Sequence, residues 1–357
     1  MQFYTHHQLF DFCKNIFLKM GCNTSDAELA ADVLTKADLR GIDSHGVARL
    51  IGYVRLWESN RINTNPQIKI IHETPSTATI NADKALGLIS APFAMKIAIE
   101  KAKTVGTGWV CVNNSNHFGI AGYHAMMALD ENMIGIAMTN ASALVAPTFG
   151  LEKMLGTNPI AVAIPAKNQP AFVADFATTT AANGKLEILQ RKNEPIPTGW
   201  AQNKNGEPTT NANILKEDGA LLPLGSDREH SSHKGFALGS LVDIFSGVMS
   251  GASFGPWAPP FPAYIPLPTN MPGEGLGHFL GAIRIDAFQP AEDFKNKMDI
   301  WIERFRNTKP IDKNQSVIIP GDPEKKFEKE RKQTGIPIDD SVLKDLQIIS
   351  NKFSVEL

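Results

Sequence analysis

The sequence predicts an α+β protein built around a mixed, largely antiparallel sheet, with helices towards both ends of the chain. Three observations support this prediction. Apolar residues recur at helical spacing from about residue 5 to residue 60. Short runs of β-type composition follow between about 77 and 177. An amphipathic helix is predicted again from about Pro290 to Asn307.

The N-terminal region predicts successive helices with recognisable ends. Thr5 is placed to cap the first helix and Ser25 the second, because an N-cap hydroxyl accepts a hydrogen bond from a free backbone N–H. Gly21 and Gly41 are placed to end these helices. The stretch GIDSHGVARL, residues 41–50, then predicts the start of a further helix with the sequence SHGVARLIGYVRLWESN.

The middle of the chain predicts strands that are separated by too little sequence for repeated crossover helices. The strand-like runs are STATIN, GWVCVNN, MIGIAMTN, IAVAIP and AFVADFA. One helix, LISAPFAMKIAIEKAKTVG, lies between the first two runs. Parallel neighbours need a crossover of about a dozen or more residues, so the close spacing of the later runs favours antiparallel pairing.

The C-terminal half predicts a buried helix, an irregular loop, a strand and a last helix. The segment HKGFALGSLVDIFSGVMSGASFG is apolar nearly all round a helix, so Phe236, Leu238, Leu241 and Ile244 are expected in the core. The prolines of GPWAPPFPAYIPLPTNMPG exclude regular structure. The run GHFLGAIRID predicts a strand, and a charged tail containing EKKFEKERKQ follows the last helix.

Length, charge and cysteine content narrow the class of protein. A chain of 357 residues is expected to form two or three packed subdomains. The net charge of -2 gives no electrostatic reason to expect a nucleic-acid or membrane partner. Cys13, Cys22 and Cys111 form no CxxC pair and are odd in number, which indicates a reducing compartment. Without a signal peptide or a long apolar run, the sequence predicts a cytoplasmic protein.

The histidines predict proton transfer rather than metal binding. No pair has HExxH spacing and no acidic cluster stands beside one, so no metal is expected. His45 and Arg49 suit hydride-transfer chemistry, in which a histidine takes the hydroxyl proton of a hydroxy acid and an arginine holds its carboxylate. If SHGVAR opens a helix, both side chains project from one face. The same spacing also fits an ordinary contact on a helix surface.

The glycines of GEGLGHF do not form a Rossmann fingerprint. Gly273, Gly275 and Gly277 follow a proline-rich loop and enter a strand, whereas the fingerprint joins a strand to a helix. They are interpreted as a tight turn. A nicotinamide cofactor would therefore bind to this chain without that motif.

Five blocks of sequence resemble one family of enzymes. The blocks are GIDSHGVARL, NNSNHFGIAGYHA, LGTNPIAVAIP, DFATTTAANGKLE and HKGFALGSLVDIFSGVMSGA, in this order. From about residue 5 to about residue 335, the chain resembles the malate/L-lactate dehydrogenase family of the non-Rossmann type. That family also contains ureidoglycolate and sulfolactate dehydrogenases, diketogulonate reductase and cyclic imino acid reductases. The resemblance implies an NAD(P)-dependent oxidoreductase, usually a homodimer, acting on a small 2-hydroxy acid.

The resemblance also implies a division into domains. A helical domain combines residues 1–75 with residues 286–357. A central domain, residues 76–285, carries the sheet that binds the dinucleotide, and residues 185–250 are a candidate small subdomain within it. This arrangement agrees with the strand spacing read directly from the sequence.

The family's functional residues carry over to positions of this chain. The catalytic positions are His117, His45, Ser44 and Asp175, with the serine, the first histidine and the aspartate grouped as a relay. The substrate-binding positions are Arg49, Tyr53 and His117. The cofactor-binding positions are Ser142, Asp175, Phe176, Ala177, Thr178, Thr179, His233, Lys234, Pro320, Gly321 and Asp322.

Several alternatives stay open at this point. His117 is preferred as the proton shuttle, with His45 polarising the substrate oxygen, but the exchanged roles fit as well. Asp175 also suits a structural cap at a strand end. His124 is expected to be a packing residue, and His278 either lines the site or binds backbone. Malate is the first substrate, with lactate next and the other family substrates as alternatives. NAD is the expected cofactor, NADP fits too, and a non-catalytic binding protein is the alternative to an enzyme.

Overall fold

The computed structural model describes residues 2–357 of the chain. Its helices are α1 (His6–Met20), α2 (Thr24–Leu39), α3 (Leu50–Glu58), α4 (Gly87–Val105), α5 (Ala121–Met126), α6 (Asn183–Lys192), α7 (Ser232–Asp243), α8 (Ala291–Arg306), α9 (Asp322–Thr334) and α10 (Asp340–Phe353). Its strands are β1 (Gln2–Tyr4), β2 (Lys69–Glu73), β3 (Thr77–Asn81), β4 (Thr107–Ser115), β5 (Met133–Thr139), β6 (Ile160–Ile164), β7 (Phe172–Phe176), β8 (Ala201–Gln202), β9 (Pro208–Thr209), β10 (Ala220–Leu221), β11 (Leu276–Arg284) and β12 (Ile336–Ile338). The helices predicted near both ends and the strands predicted between them are confirmed.

Seven strands form the central sheet, in the order β2-β3-β4-β11-β5-β6-β7. Within the described residues, β3 and β4 are the one parallel pair of this sheet, and its other neighbours are antiparallel. Helix α4, 19 residues long, is the crossover that joins this parallel pair. The predicted mixed, largely antiparallel sheet is therefore confirmed.

Helices from both ends of the chain share one hydrophobic core. Phe17 of α1, Tyr53 of α3 and Leu346 of α10 are all buried in it. Strands β1 and β12 also pair antiparallel, so backbone hydrogen bonds join the two ends of the chain. The predicted boundaries of the helical domain, 1–75 with 286–357, stay a prediction.

A second core lies between the central sheet and helices α4 and α5, and it is rich in alanine. Small side chains allow the helices to approach the sheet closely, and the α4 residues Ala91, Ala94, Ala98 and Ala102 are fully buried. At the β7 edge of the sheet, Trp301 of α8 packs edge-on against Phe172, with ring centroids 5.8 Å apart. Helix α8 thus closes this edge of the sheet.

A third, smaller core surrounds the three short strands β8, β9 and β10. Its buried side chains include Val145, Leu186, Ile196 and Leu221. The core therefore draws on residues on both sides of position 185. The predicted small subdomain of residues 185–250 stays a prediction.

Two local expectations are wrong, and one segment without a predicted element is helical. Asn23 caps α2 in place of Ser25, because its side chain accepts the Asp26 N–H. The charged tail forms the regular helix α9. Leu241 and Ile244 are each 48 % exposed, because the small residues of α7 face the sheet and leave the large apolar ones outside.

Candidate active site

The loop between α2 and α3 folds as two short 3-10 turns, Asp43–His45 and Val47–Arg49, and α3 begins only at Leu50. The prediction that His45 and Arg49 lie on one face of a helix is therefore wrong. The two side chains reach the same cleft through the turn geometry.

Asp38 of α2 stabilises this loop through a backbone hydrogen bond. The Val47 N–H donates to its Oδ2 at 2.7 Å. A Cβ atom at Gly46 would lie 2.0 Å from Oδ1 of the same carboxylate, so only glycine fits at that position. Burial raises the pKa of Asp38 well above its usual range. The glycine of the DSHG block is thus explained by close packing.

His45 and His117 meet face to face in the cleft. Their ring centroids are 5.7 Å apart and the rings are inclined by 22°. His45 comes from the first 3-10 turn, where Ser44 Oγ lies 2.8 Å from its Nδ1 atom. His117 comes from the loop that follows β4. The tertiary structure therefore brings together the two histidines that compete for the acid/base role.

Tyr53 binds the second of these histidines. Its Oη atom lies 2.7 Å from Nδ1 of His117, and the Gly119 N–H also points to that nitrogen at 3.3 Å. Tyr53 is fully buried, and burial raises its pKa, so the phenol keeps its proton. A protonated phenol can donate to Nδ1 or accept from an Nδ1–H, so this contact fits both neutral tautomers of His117 and leaves the Nε2 edge for other partners.

Both histidines are held neutral. Burial, followed by the charge of Arg49, lowers the pKa of His45 to about 3. Burial also lowers the pKa of His117 well below its usual range, and the neighbouring His45 and Arg49 contribute in the same direction. At neutral pH the site therefore offers uncharged imidazoles that can accept a proton.

Phe261 covers the cleft and was not predicted. Its ring centroid lies 4.9 Å from that of His117, 5.5 Å from that of Tyr53 and 5.9 Å from the Cζ atom of Arg49. Its backbone N–H donates to Oγ of Ser142 at 2.8 Å, so this predicted cofactor contact anchors the loop. The proline-rich segment predicts only irregular structure, and nothing in it indicates which side chain reaches the site.

Arg49 is paired with Glu187 of α6, a second residue that the sequence reasoning missed. Nη2 and Nη1 of Arg49 lie 3.1 and 3.4 Å from the two carboxylate oxygens. Nε donates to the Ser44 carbonyl at 2.6 Å. The predicted substrate-carboxylate ligand thus lies beside both histidines with its guanidinium already bound to a carboxylate of the chain.

Asp175 lies near the end of β7, against the first turn of α5. The Gly122 N–H donates to its Oδ2 at 2.8 Å. The residue is exposed to solvent, yet desolvation of its carboxyl by the surrounding protein raises its pKa to about 6. Within the described residues, Ser44 binds His45 whereas Asp175 binds Gly122, so the relay of all three remains a prediction.

The predicted cofactor residues after Asp175 have different surroundings. Phe176 is 41 % exposed beside the half-buried Ala177. Thr178 and Thr179 are buried, and their hydroxyls donate to the carbonyls of Thr157 and Ala181 at 3.1 and 2.8 Å. These hydroxyls have already donated their protons, so they can only accept hydrogen bonds from a ligand.

The HKG block at the start of α7 has an unused polar group. Nδ1 of His233 is buried and has no hydrogen-bond partner among residues 2–357. Lys234 is exposed on the same turn. A cavity of about 550 Å³ lies beside this turn and is lined by Ser232, by Thr180 and by Phe149, among others. The cavity is thus lined by the residues next in sequence to the HKG and DFATT blocks, and not by the blocks themselves.

The third predicted cofactor segment adjoins the same strand. The carbonyl of Pro320 accepts the Val173 N–H of β7 at 3.0 Å, and Asp322 forms an ion pair with Arg306 at 2.8 Å. Gly321 adopts a positive φ of 99° at the start of α9. The segment Pro320 to Asp322 is therefore fixed next to the strand that ends in Asp175.

Two further histidines are buried near the site but are not open to it. Nε2 of His124 lies 2.8 Å from the Phe118 carbonyl, which agrees with the predicted packing role. His278 binds the hydroxyls of Thr139 and Ser115 at 2.7 and 2.8 Å. Burial lowers the pKa of His124 to about 4 and that of His278 to about 3.

Residues 2–357 contain neither a metal-binding cluster of side chains nor a membrane-spanning helix. No group of three or more His, Cys, Asp or Glu side chains in this part of the chain is arranged to hold a metal ion. No helix in the same residues has the length and apolar character needed to cross a membrane.

The sequence and the fold match known proteins over nearly their whole length. A family model described as malate/L-lactate dehydrogenase matches residues 4–347. Malate dehydrogenase of Pyrococcus abyssi is 44% identical over 350 residues, covering 98% of this chain and 94% of the relative. L-sulfolactate dehydrogenase of Methanocaldococcus jannaschii is 37% identical over 345 residues, covering 96% and 95%.

A solved structure agrees with these relatives. The crystal structure of malate dehydrogenase from Entamoeba histolytica superposes with a TM-score of 0.92 at 32% identity, covering 100% of this chain and 99% of the other. The fold, the paired histidines and these similarities define an oxidoreductase that acts on hydroxy acids. The chain belongs to the malate/L-lactate dehydrogenase family.

Proposed function

We propose that this protein reversibly oxidises a small 2-hydroxy acid to its 2-oxo acid with a nicotinamide dinucleotide, and that malate is its first substrate. One observation supports this most directly. Two neutral histidines, His45 and His117, lie in one cleft with Arg49. A proton acceptor thus stands beside a cation whose planar fork suits a carboxylate, and these are the two protein groups that the reaction needs.

We assign the proton transfer to His117. In oxidation, the Nε2 atom of the neutral tautomer that carries its proton on Nδ1 would take the hydroxyl proton of the substrate as the hydride leaves the carbon. The protonated ring needs an acceptor for its Nδ1–H, and the Tyr53 hydroxyl, 2.7 Å away, provides one by rotating its own proton away. The hydroxyl therefore serves both protonation states of the histidine. His45 would polarise the substrate oxygen, oriented by Ser44.

The residues present fit a dinucleotide. Nδ1 of His233 is buried and unpartnered, and a cavity of about 550 Å³, lined by the preceding residue Ser232, is large enough for a ligand group. Lys234 offers a cation for a phosphate, and Asp175 offers a carboxylate. When bound, the nicotinamide ring supplies a carbon that accepts or gives the hydride. We infer that the cofactor binds without a Rossmann unit, and we favour NAD over NADP.

We also propose a homodimer in the cytoplasm. Leu241, Ile244, Val248 and Met249 are each about half exposed along α7 and its continuation, at 48, 48, 50 and 49 %. A continuous apolar stripe of this kind is typical of a surface covered by another protein, here a second copy of the chain. The cytoplasmic assignment rests on the free, buried cysteines, which suit a reducing compartment.

The central experiment is a substrate panel. The purified protein is mixed with NADH or NADPH and with oxaloacetate, pyruvate, 3-sulfopyruvate or a cyclic imine, and the loss of reduced-cofactor absorbance is followed. We expect oxaloacetate with NADH to give the highest kcat/KM. If 3-sulfopyruvate or the imine is preferred, the alternative family substrates are favoured. If nothing is reduced, the protein is a ligand-binding member of the fold.

A further inference from the structure

The guanidinium of Arg49 has no free two-pronged edge. It carries five N–H groups in a planar fork, and a carboxylate is held most strongly when it binds two of them in parallel. The outer edge, formed by Nη1 and Nη2, faces both oxygens of Glu187 at 3.4 and 3.1 Å. The side edge, formed by Nε and Nη2, cannot bind a carboxylate with two hydrogen bonds either, because Nε donates to the Ser44 carbonyl at 2.6 Å. A substrate carboxylate therefore meets an arginine that is already occupied.

The contact with Glu187 is built into the first turn of α6. The Asn183 side-chain amide donates to Oε1 of Glu187 at 2.8 Å and so fixes the carboxylate one helical turn later. Gly184 allows the close approach, because a Cβ atom there would lie 2.5 Å from Cβ of Ser44 and 3.3 Å from Nη2 of Arg49. Helix α6 is thus pressed against the loop that carries the catalytic serine and histidine.

The ion pair is well placed to open. The Arg49 side chain is 16 % exposed and that of Glu187 is 30 % exposed, so water reaches both partners. Partly exposed ion pairs are weak compared with the binding energy that a doubly bound substrate carboxylate supplies. A free carboxylate that enters the cleft can therefore replace Glu187, provided that the first turn of α6 or the Glu187 side chain moves aside.

We propose that Glu187 is an internal competitor for the substrate's carboxylate, and that each substrate molecule must displace it from Arg49 before reaction. This inference rests on the proposed function of Arg49 as the carboxylate ligand. The Glu187 side chain then sets the apparent affinity, because only the fraction of molecules with an open Arg49 binds substrate. Substrates that present a carboxylate are selected, since a neutral group has no means of replacing the ion pair.

The test is a four-protein cycle made of the unmodified chain, Glu187→Gln, Arg49→Gln and the double variant. KM and kcat are measured with the best 2-oxo acid of the panel and saturating reduced cofactor. We expect Glu187→Gln to lower KM by about fivefold with little change in kcat, because an exposed pair of this kind favours the closed state only modestly. In the Arg49→Gln background, the same substitution should leave KM unchanged.

Controls separate the possible failures. Glu194→Gln removes one charge just beyond α6, at an exposed position, and should leave KM unchanged. If Arg49→Gln raises KM but Glu187→Gln also raises it or leaves it unaltered, Glu187 orients Arg49 and the competitor role is overturned, while the proposed function stands. If Arg49→Gln leaves KM unaltered, Arg49 does not bind the substrate carboxylate. The proposed role of Glu187 as a competitor is then wrong as well. Melting temperatures of all variants show whether each one is folded.

Discussion

The Oη atom of Tyr53 lies 2.7 Å from Nδ1 of His117, at the centre of the candidate active site. Tyr53 comes from the helical core of the chain ends, whereas His117 follows a strand of the central sheet. This hydrogen bond therefore connects the two cores at the point of reaction. It fixes the histidine ring and gives Nδ1 a partner that can donate or accept.

Replacement of Tyr53 by Phe should lower kcat by about five- to tenfold, since one hydrogen bond is worth about 1 kcal/mol net. The ring stays in place, so the effect isolates the hydroxyl. Steady-state kinetics measure it. The matched control is Tyr123→Phe, which removes a hydroxyl that donates to Asp32 at 2.7 Å outside the cleft. An equal loss in both variants would show that the Tyr53 hydroxyl has no special role.

His117→Asn should lower kcat by about two to four orders of magnitude, because it removes the group that we assign to proton transfer. His45→Asn should cost clearly less, since its assigned role is to polarise the substrate oxygen. The measurement is kcat in both directions of the reaction. If the His117 variant keeps near-full turnover while the His45 variant loses several orders of magnitude, the two roles are exchanged.

Arg49→Lys should raise KM for the organic acid by about 10- to 100-fold with a smaller change in kcat, since an ammonium cannot form two parallel hydrogen bonds to a carboxylate. Arg55→Lys provides the control, because this arginine is exposed at the end of α3. An unchanged KM together with a large loss of kcat would contradict a role in substrate binding.

The pH profile of oxidation should have no limb near pH 6.5 that comes from His117. Burial keeps the pKa of His117 well below its ordinary value, so the neutral, proton-accepting form persists as the pH falls from 8 towards 6. Asp175 has its pKa raised to about 6, so a change in kcat/KM near pH 6 is expected from this carboxyl and should vanish in Asp175→Asn. A limb near pH 6.5 that survives in this variant would indicate an ordinary histidine.

His278→Gln should make the protein less sensitive to acid. The pKa of His278 is lowered to about 3 by burial, whereas the unfolded chain takes up this proton near pH 6.5. The stability that the neutral histidine contributes is therefore complete above pH 6.5 and is lost as the pH falls towards 3. Between pH 7 and pH 5, the natural chain should lose about 2 kcal/mol more free energy of unfolding than the variant.

Urea unfolding at both pH values measures this difference, and the comparison cancels any pH-independent cost of the substitution. His72→Gln is the control, because His72 is exposed on β2. Equal pH dependence in the natural chain and in His278→Gln would mean that the buried histidine is protonated in the folded protein.

Local sequence patterns predicted most of the helices and strands. The Thr5 cap is confirmed. Of the GEGLGHF glycines, Gly273 and Gly275 lie in a bend before β11, where Gly275 has a φ of 63°, and Gly277 lies inside the strand. These features depend on a few neighbouring residues, as do amphipathic spacing and strand alternation. Helix α6 was not predicted, and it carries Glu187.

The sequence by itself determined the family, the class of fold and the residue types that the chemistry requires, because periodicity and motif order are properties of the chain. Only the tertiary structure decided which of those residues meet. It placed His45 against His117, set Phe261 against His117 and paired Arg49 with Glu187, residues 138 positions apart. Such contacts depend on how separate elements pack. No local sequence pattern indicates whether Arg49 is free or bound to a carboxylate of the chain.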